Sequence, residues 1–441
     1  MRDFDRSDGV EGLAADHAAA LLRRFGAQDA PRVASDHPAL AWRRAGLMAV
    51  TGRADGPGLV APVALTAAAD GALAALRAVA PGAALPENGA VLLGERARLL
   101  GLVRQGAVSA NGSCHLLATR DGGIALNLPR AEDWELVEAL LGETAVDWPA
   151  LARIAATRPA GDLLAQGRLL GLAIAPDLAT SPPLAPFSVA RLGEPRLRAG
   201  APLVVDLSAL WAGPLAGALL AAAGARVVKV ESLGRPDGAR SGARDFYELL
   251  NAGKASVALD FSAADDVRML RQLVSTADII IESTRPRALA ALGIEAAAEA
   301  RRGATWLAIT AHGRDGEAAN WIGFGDDAAV AGGLSAAMRR GWGEGLFAGD
   351  AIADPLTGIT AAFAGWASWR AGGGRLVDLA LSAVTSHACG LYEASGAELR
   401  DWQTLAETDA APFYKLRTPA GAAAALGADT AAICARLRLP S

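Results

Sequence analysis

The sequence predicts an α/β protein: a doubly wound parallel sheet forming a large domain, with a smaller α+β domain before it. Three observations carry this. After residue 200, short apolar runs alternate with helical stretches of roughly ten residues, the pattern of a parallel sheet with crossover helices. Before it, an apolar hairpin pattern lies among helical stretches. Between them, Ala175–Gly193 carries four prolines and little periodicity, and this stretch, closing at Gly200, reads as the domain boundary.

Taken in order, Met1–Asp8 is too charged for a secretory leader, and Ala14–Arg24 reads as a helix. Gly46–Gly82 is small and apolar, and Val91–Gly106 reads as helical. His115–Leu128 reads as a hairpin turning at Asp121-Gly122-Gly123. Ala131–Leu141 and Trp148–Ala156 read as helices, the second starting after Asp147. Beyond the boundary, Leu203–Leu207 is a buried strand, Ser208–Gly213 a loop, and Pro214–Ala223 a helix of small residues with proline in its first turn. Strands follow at Arg226–Glu231, Val257–Asp260, Asp278–Glu282 and Trp306–Thr310, with a helix at Ala263–Ser275. Gly372–Gly374 marks a turn into one more strand.

Composition excludes several classes. The 441 residues carry 42 Lys and Arg against 47 Asp and Glu, a net charge of −5, so no basic footprint for nucleic acid or a membrane surface is present. The most apolar run, Ala209–Ala225, is broken by three glycines and a proline and falls short of the ~20 apolar residues of a bilayer span. Three scattered cysteines, Cys114, Cys389 and Cys434, suggest a reducing, cytoplasmic setting and no thiol metal site. His17, His37, His115 and His387 have no metal-like spacing.

The chain also resembles itself. Gly46–Leu76 aligns without gaps on Gly333–Phe363, with 12 of 31 positions identical. In that alignment Asp354 faces Ala67.

Val204–Gly217 and Gly224–Glu231 resemble the opening of class III CoA-transferases, a family that includes formyl-CoA and carnitine CoA-transferases and α-methylacyl-CoA racemases. Asp237–Arg240, Asn251–Asp260, Ala277–Pro286, Ala353–Gly358 and Gly373–Leu381 are similar to further family blocks in the same order, and Leu426–Leu437 to its C-terminal helix. The resemblance implies a Rossmann-like large domain at 196–441, a small α+β domain at 91–195 that normally follows the large-domain blocks, and at 1–90 a degenerate piece of a second large domain.

The resemblance assigns the nucleophile to Asp354, which in the family attacks an acyl-CoA carbonyl and passes through a mixed anhydride and an aspartyl-CoA thioester. A carboxylate suits that role because it attacks without a general base. Aspartate before Pro355 at a helix start is also an ordinary N-cap pair, and the residue types fit both readings. Trp211, Ala212 and Gly213 lie at a strand-to-helix turn, where backbone N–H groups face an anion and CoA would approach; close helix packing explains them equally well. Arg240, Lys254, Arg285 and Arg287 are candidate contacts for the CoA phosphates, with Ser283 and Thr284 beside them, although isolated cations are more often solvated surface charges. Ser232 stands where formyl-CoA transferases carry arginine.

Gly323-Phe-Gly-Asp-Asp327 occupies the place of the racemase Gly-His-Asp block, putting Phe324 at the histidine position and Asp326 beside it, while His312 lies in a loop nearby. The expected function is therefore CoA transfer from an acyl-CoA to a carboxylic acid. The alternatives are an acyl-CoA racemase or epimerase and a degenerate CoA-ester-binding subunit. No cofactor beyond CoA as substrate is implied. Family habit points to a homodimer, with a heteromer as the alternative.

Overall fold

The computed structural model describes residues 10–27, 33–178 and 184–437. Met1–Asp8 and the middle of the proline-rich stretch lie outside them.

The chain opens with four helices, α1 (Leu13–Arg23), α2 (Pro38–Arg44), α3 (Leu65–Val79) and α4 (Ala90–Leu100). A three-stranded antiparallel sheet follows: β1 (Cys114–Ala118), β2 (Gly123–Asn127) and β3 (Ala173–Pro176), in the order β1-β2-β3. Between β2 and β3 run α5 (Ala131–Glu135), α6 (Val137–Leu141), α7 (Trp148–Ala155) and α8 (Ala160–Leu170). They close a core of their own around Leu126, Leu140, Leu151 and Ile174. The hairpin and the start after Asp147 stand where the sequence puts them, with the Asp147 carboxylate accepting the N–H of Ala150 at 2.8 Å.

The large sheet has seven strands. It is built from β4 (Ser188–Arg191), β5 (Leu203–Leu207), then α9 (Ala212–Ala222), β6 (Arg226–Ser232), α10 (Arg244–Asn251), β7 (Ala255–Leu259), α11 (Ala264–Thr276) and β8 (Ile279–Glu282). After these come α12 (Pro286–Ala291), α13 (Ala296–Arg302), β9 (Thr305–Thr310), α14 (Gly325–Ala331), α15 (Leu334–Trp342), α16 (Ala353–Arg370), β10 (Arg375–Ala380), α17 (Leu381–Cys389), α18 (Gly396–Thr408) and α19 (Thr430–Leu437). The order is β4-β10-β9-β8-β5-β6-β7, parallel except for the edge strand β4, which lies antiparallel on β10. The order reverses at β5 beside β8, the switch point at whose carboxyl ends α/β sheets open a crevice. Strand residues alternate between two cores: Val204, Ile279, Ile281 and Leu307 face one side, and Val205, Ile280 and Trp306 the other. Among the described residues no helix is long and apolar enough to cross a membrane.

The segment 1–90 does not stand apart. Ala18, Leu73 and Leu76 belong to the same continuous core as Leu215, Ile359 and Phe363. Nor does 91–195 form one unit, since β4 joins the large sheet and α4 packs with α3. The reason is burial: α3 and α16 are apolar nearly all round, so each needs cover on every side and each covers the other.

Some elements recur at the spacing of the sequence repeat. α2 and α14 are both seven residues long and 287 positions apart, and α15 begins 287 positions after the short helical turn Leu47–Val50. The glycines before those two, Gly46 and Gly333, both have positive φ. α1 and α9 are both eleven residues long. A Cβ on Gly71 would stand 2.5 Å from the Ala14 carbonyl oxygen of α1, and one on Gly358 would stand 2.7 Å from that of Ala212 in α9. The Trp366 indole donates to the Val79 carbonyl at 3.0 Å, joining two corresponding positions.

Under α9 lies a buried ion network. Lys254 donates to the Asp206 carboxylate and the Pro214 carbonyl, both at 2.8 Å, and to Asn251 at 3.2 Å. Lys229 pairs with Asp237 at 2.8 Å and donates to the Ser208 carbonyl at 2.9 Å. Burial pushes the Asp206 carboxyl up, and Lys254 and Lys229 outweigh it, holding the group below the usual range. Breaking such a pair from one side is costly. Lys254→Met should lower the unfolding free energy by about 3–5 kcal/mol, read as a lower urea midpoint. Adding Asp206→Leu should recover part of the loss.

Candidate functional site

The loop after β5 ends in Leu210, a non-glycine residue at φ 68°, before Trp211 and the first turn of α9. A second loop ends in Ala351, at φ 42°, before α16. Such backbone strain in two converging loops points to a functional site.

The expectation of Asp354 as an N-cap with Pro355 opening the helix is corrected. α16 begins at Ala353 behind Ile352, with Asp354 already inside the first turn. The turn at Ala351 starts the helix early, because its carbonyl accepts the Asp354 N–H at 2.9 Å. The carboxylate is thereby released from capping its own helix. It accepts the N–H of Ala212 at 3.3 Å, the first residue of α9, so the starts of two helices meet at one carboxyl group. α14 begins beside it at Gly325, where a Cβ would come within 2.2 Å of Asp354 Oδ2.

Around Asp354 stand three more acids. Asp326 accepts the Ala351 N–H at 2.9 Å and the Asn111 amide at 3.2 Å. Asp327 accepts the Phe324 N–H and the Asn127 amide, both at 2.9 Å. Asp350, fully buried, takes both oxygens to Arg96 Nη1 at 2.7 and 2.8 Å. Burial pushes Asp354 up to about 7; the Ala212 N–H and Arg96 pull it down, while Asp327 and Asp350 raise it. Burial pushes Asp326 up to about 7 as well, with Asp350 adding to the rise. The Asp350 carboxyl is raised by burial against the pull of Arg96. The cluster can hold one carboxyl group near neutrality between its acid and its nucleophilic form.

Trp211, Ala212 and Gly213 come together with Asp354 as the sequence groups them. The Trp211 ring packs edge-on against Phe246, and its indole nitrogen is buried with no hydrogen-bond partner among the described residues. Phe324 and Asp326 lie at the start of α14 on the same side. The candidate phosphate contacts do not gather there. Lys254 spends its hydrogens on Asp206, Pro214 and Asn251, and Arg240 lies bidentate on Glu231, at 2.5–3.1 Å, over the Tyr247 ring. A buried charge must be paired, and these two are paired inside the fold. Ser283 Oγ accepts the Ala209 N–H at 3.2 Å, tying β8 to the loop before α9, and Thr284 donates to Glu282. Arg285 and Arg287 are exposed, and Arg287 borders a cavity of about 220 Å³ with Glu282, Trp306 and Arg314.

Sequence reasoning missed Arg96, Asn111, Asn127 and Asp350. Arg96 comes from α4, and the two asparagines from the small three-stranded unit, so their spacing from Asp354 carries no local signal. Asp350 alone carries a local signal, as an acid four residues before Asp354.

The family model for CoA-transferase family III matches residues 202–438. A succinate–glutarate CoA-transferase of Agrobacterium fabrum is 31% identical over 202 residues, 42% of this chain and 50% of that one. The human succinyl-CoA:glutarate CoA-transferase is 27% identical over 257 residues, 54% and 58% of the two chains. A crystal structure of a hypothetical protein from Mycobacterium tuberculosis is 27% identical with a TM-score of 0.39, covering 43% of this chain and 57% of that one. The chain thus spans about half the length of the curated relatives it matches.

A group whose folded pKa is raised costs stability once ionised, and the cost disappears where both states are protonated. Asp354→Asn should therefore stabilise the fold at pH 8 by about 2–4 kcal/mol, since each tenfold change in a carboxylate's proton affinity is worth ~1.4 kcal/mol. The gain should fade as the pH drops from 7 to 4, as measured by urea unfolding of both proteins.

Proposed function

The chain belongs to CoA-transferase family III, and on that premise we propose that it moves CoA from an acyl-CoA to a carboxylic acid with Asp354 as nucleophile. The observation that carries the reading is the placement of the Asp354 carboxylate at the Ala212 N–H, where the starts of α9 and α16 converge at the sheet's switch point.

In this mechanism an Asp354 oxygen attacks the thioester carbonyl, the C–S bond breaks, and a mixed anhydride and CoA thiolate result. The thiolate attacks the aspartyl carbonyl of the anhydride, releasing the donor carboxylate and leaving an aspartyl-CoA thioester. The acceptor carboxylate attacks that thioester and again expels CoA thiolate. Attack of the thiolate on the acceptor's acyl carbon gives the new acyl-CoA and returns Asp354 as a carboxylate. The Ala212 N–H is placed to stabilise oxyanions formed at the aspartyl carbon. Trp211 and Gly213 flank the Ala212 donor, and the exposed Arg285 and Arg287, away from the acid cluster, are the remaining candidates for the CoA phosphates.

A second reading, acyl-CoA epimerisation, is favoured by one pair. His312 Nε2 and Asp327 Oδ2 lie 3.7 Å apart, both buried and without hydrogen-bond partners among the described residues. Proton exchange at an α-carbon needs such groups. It would bring solvent deuterium into the acyl-CoA with no acceptor acid present, whereas CoA transfer would not.

Incubation with an acyl-CoA panel followed by hydroxylamine should mark Asp354 as a hydroxamate in peptide mass spectra, and Asp354→Asn should abolish the mark. Labelling should also weaken as the pH falls through about 7, where the carboxylate becomes protonated. An unmarked Asp354 across succinyl-, glutaryl- and formyl-CoA would overturn the reading.

A further inference from the structure

Asp354 is held from two sides, the α9 start that supplies Ala212 and the Ala351 turn that begins α16. One side chain spans both. Arg96 Nη1 bonds both oxygens of Asp350, the residue before Ala351. The same guanidinium stands 5.3 Å from the ring of Trp211, the residue before Ala212, and 5.9 Å from that of Phe246. The loop carrying Asp350 is also tied to the N-terminal helices by the Gly349 N–H, which donates to Thr51 Oγ1 at 3.0 Å.

We infer that Arg96, on α4 outside the segment that matches the family, is a positioning residue that holds the Ala212 N–H and the Ala351 turn in register around Asp354 and supplies the positive charge facing it. The groups that bear on Asp354 are Arg96 from α4, Asp327 from α14 and Asp350 from the loop before α16. Asp326 of α14 also faces Asp350 and Arg96. Removing Arg96 leaves the carboxyl among acids alone, which raises the pH at which it ionises. The tether then acts on rate and the charge on the titration, so the two effects can be separated.

This inference rests on Asp354 as the site's acid, and its test does not need turnover. In protein labelled with ¹³C at aspartate carboxyls, the resonance missing from Asp354→Asn identifies Asp354 and should titrate near pH 7 in the parent. In Arg96→Met the midpoint should move upward by about one pH unit or more, and in Arg96→Lys it should return most of the way. Acyl transfer by Arg96→Met at pH 8 should show kcat reduced at least about tenfold with KM within roughly threefold, the sign of an interaction made in the transition state. If Arg96→Met does not fold, Arg96→Met/Asp350→Asn removes the buried pair together. That double variant should titrate near the parent midpoint yet keep the low kcat. An unmoved midpoint in Arg96→Met, or parental kcat in the double variant, would overturn the inference. Failure of Asp354 to take an acyl group would overturn the nucleophile assignment while leaving the carboxyl titration readable.

Discussion

Two helix starts converge on one carboxyl group, and most of the fold can be read as what that convergence requires. An aspartate among three other acids cannot be enclosed without donors and a counter-charge, because each ionised carboxylate removed from water must be compensated. The donors come from far along the chain: Asn127 from the small sheet, Asn111 from the turn before it, the Ala212 N–H from α9, and Arg96 from α4. The site is therefore where three parts of the chain close on each other. Separating any one of them would expose an unpaired buried acid.

The cost is visible in the backbone. Leu210 and Ala351 hold φ values that side chains avoid; Leu210 sits two residues before the Ala212 donor, and Ala351 itself donates to Asp326. Each such residue costs of order 1–3 kcal/mol. The surrounding core, dense with alanine and leucine on α3, α9 and α16, holds them there. Rigid helices bearing a strained pair of loops place a reacting group more precisely than flexible loops could.

Much of this was legible in the sequence. The strands from Leu203 to Thr310 announce themselves because parallel strands buried on both faces are continuous apolar runs. Trp211–Gly213 and Asp354 could be grouped only through the resemblance of their segments to family blocks, since their local signatures fit capping and close packing as well. The edge strand β4 was hidden in the proline-rich stretch, since an edge strand needs little apolar alternation. Arg240 and Lys254 pair with Glu231 and Asp206, partners that a cation's sequence neighbours do not reveal. Arg96 was invisible for the same reason in reverse: its partner Asp350 lies 254 residues away.

The bond between Trp366 and Val79 has a consequence of its own. Where identical subunits pair about an axis, any substitution near that axis is made twice and must be tolerated against itself. Here the two sides of the contact are written in separate stretches of one sequence, so each can change without its counterpart changing. A large ring on one side and a small aliphatic on the other is a combination that identical subunits cannot make. The same freedom lets one side keep aspartate at position 354 while the other holds alanine at 67, both under a shared core that neither can leave.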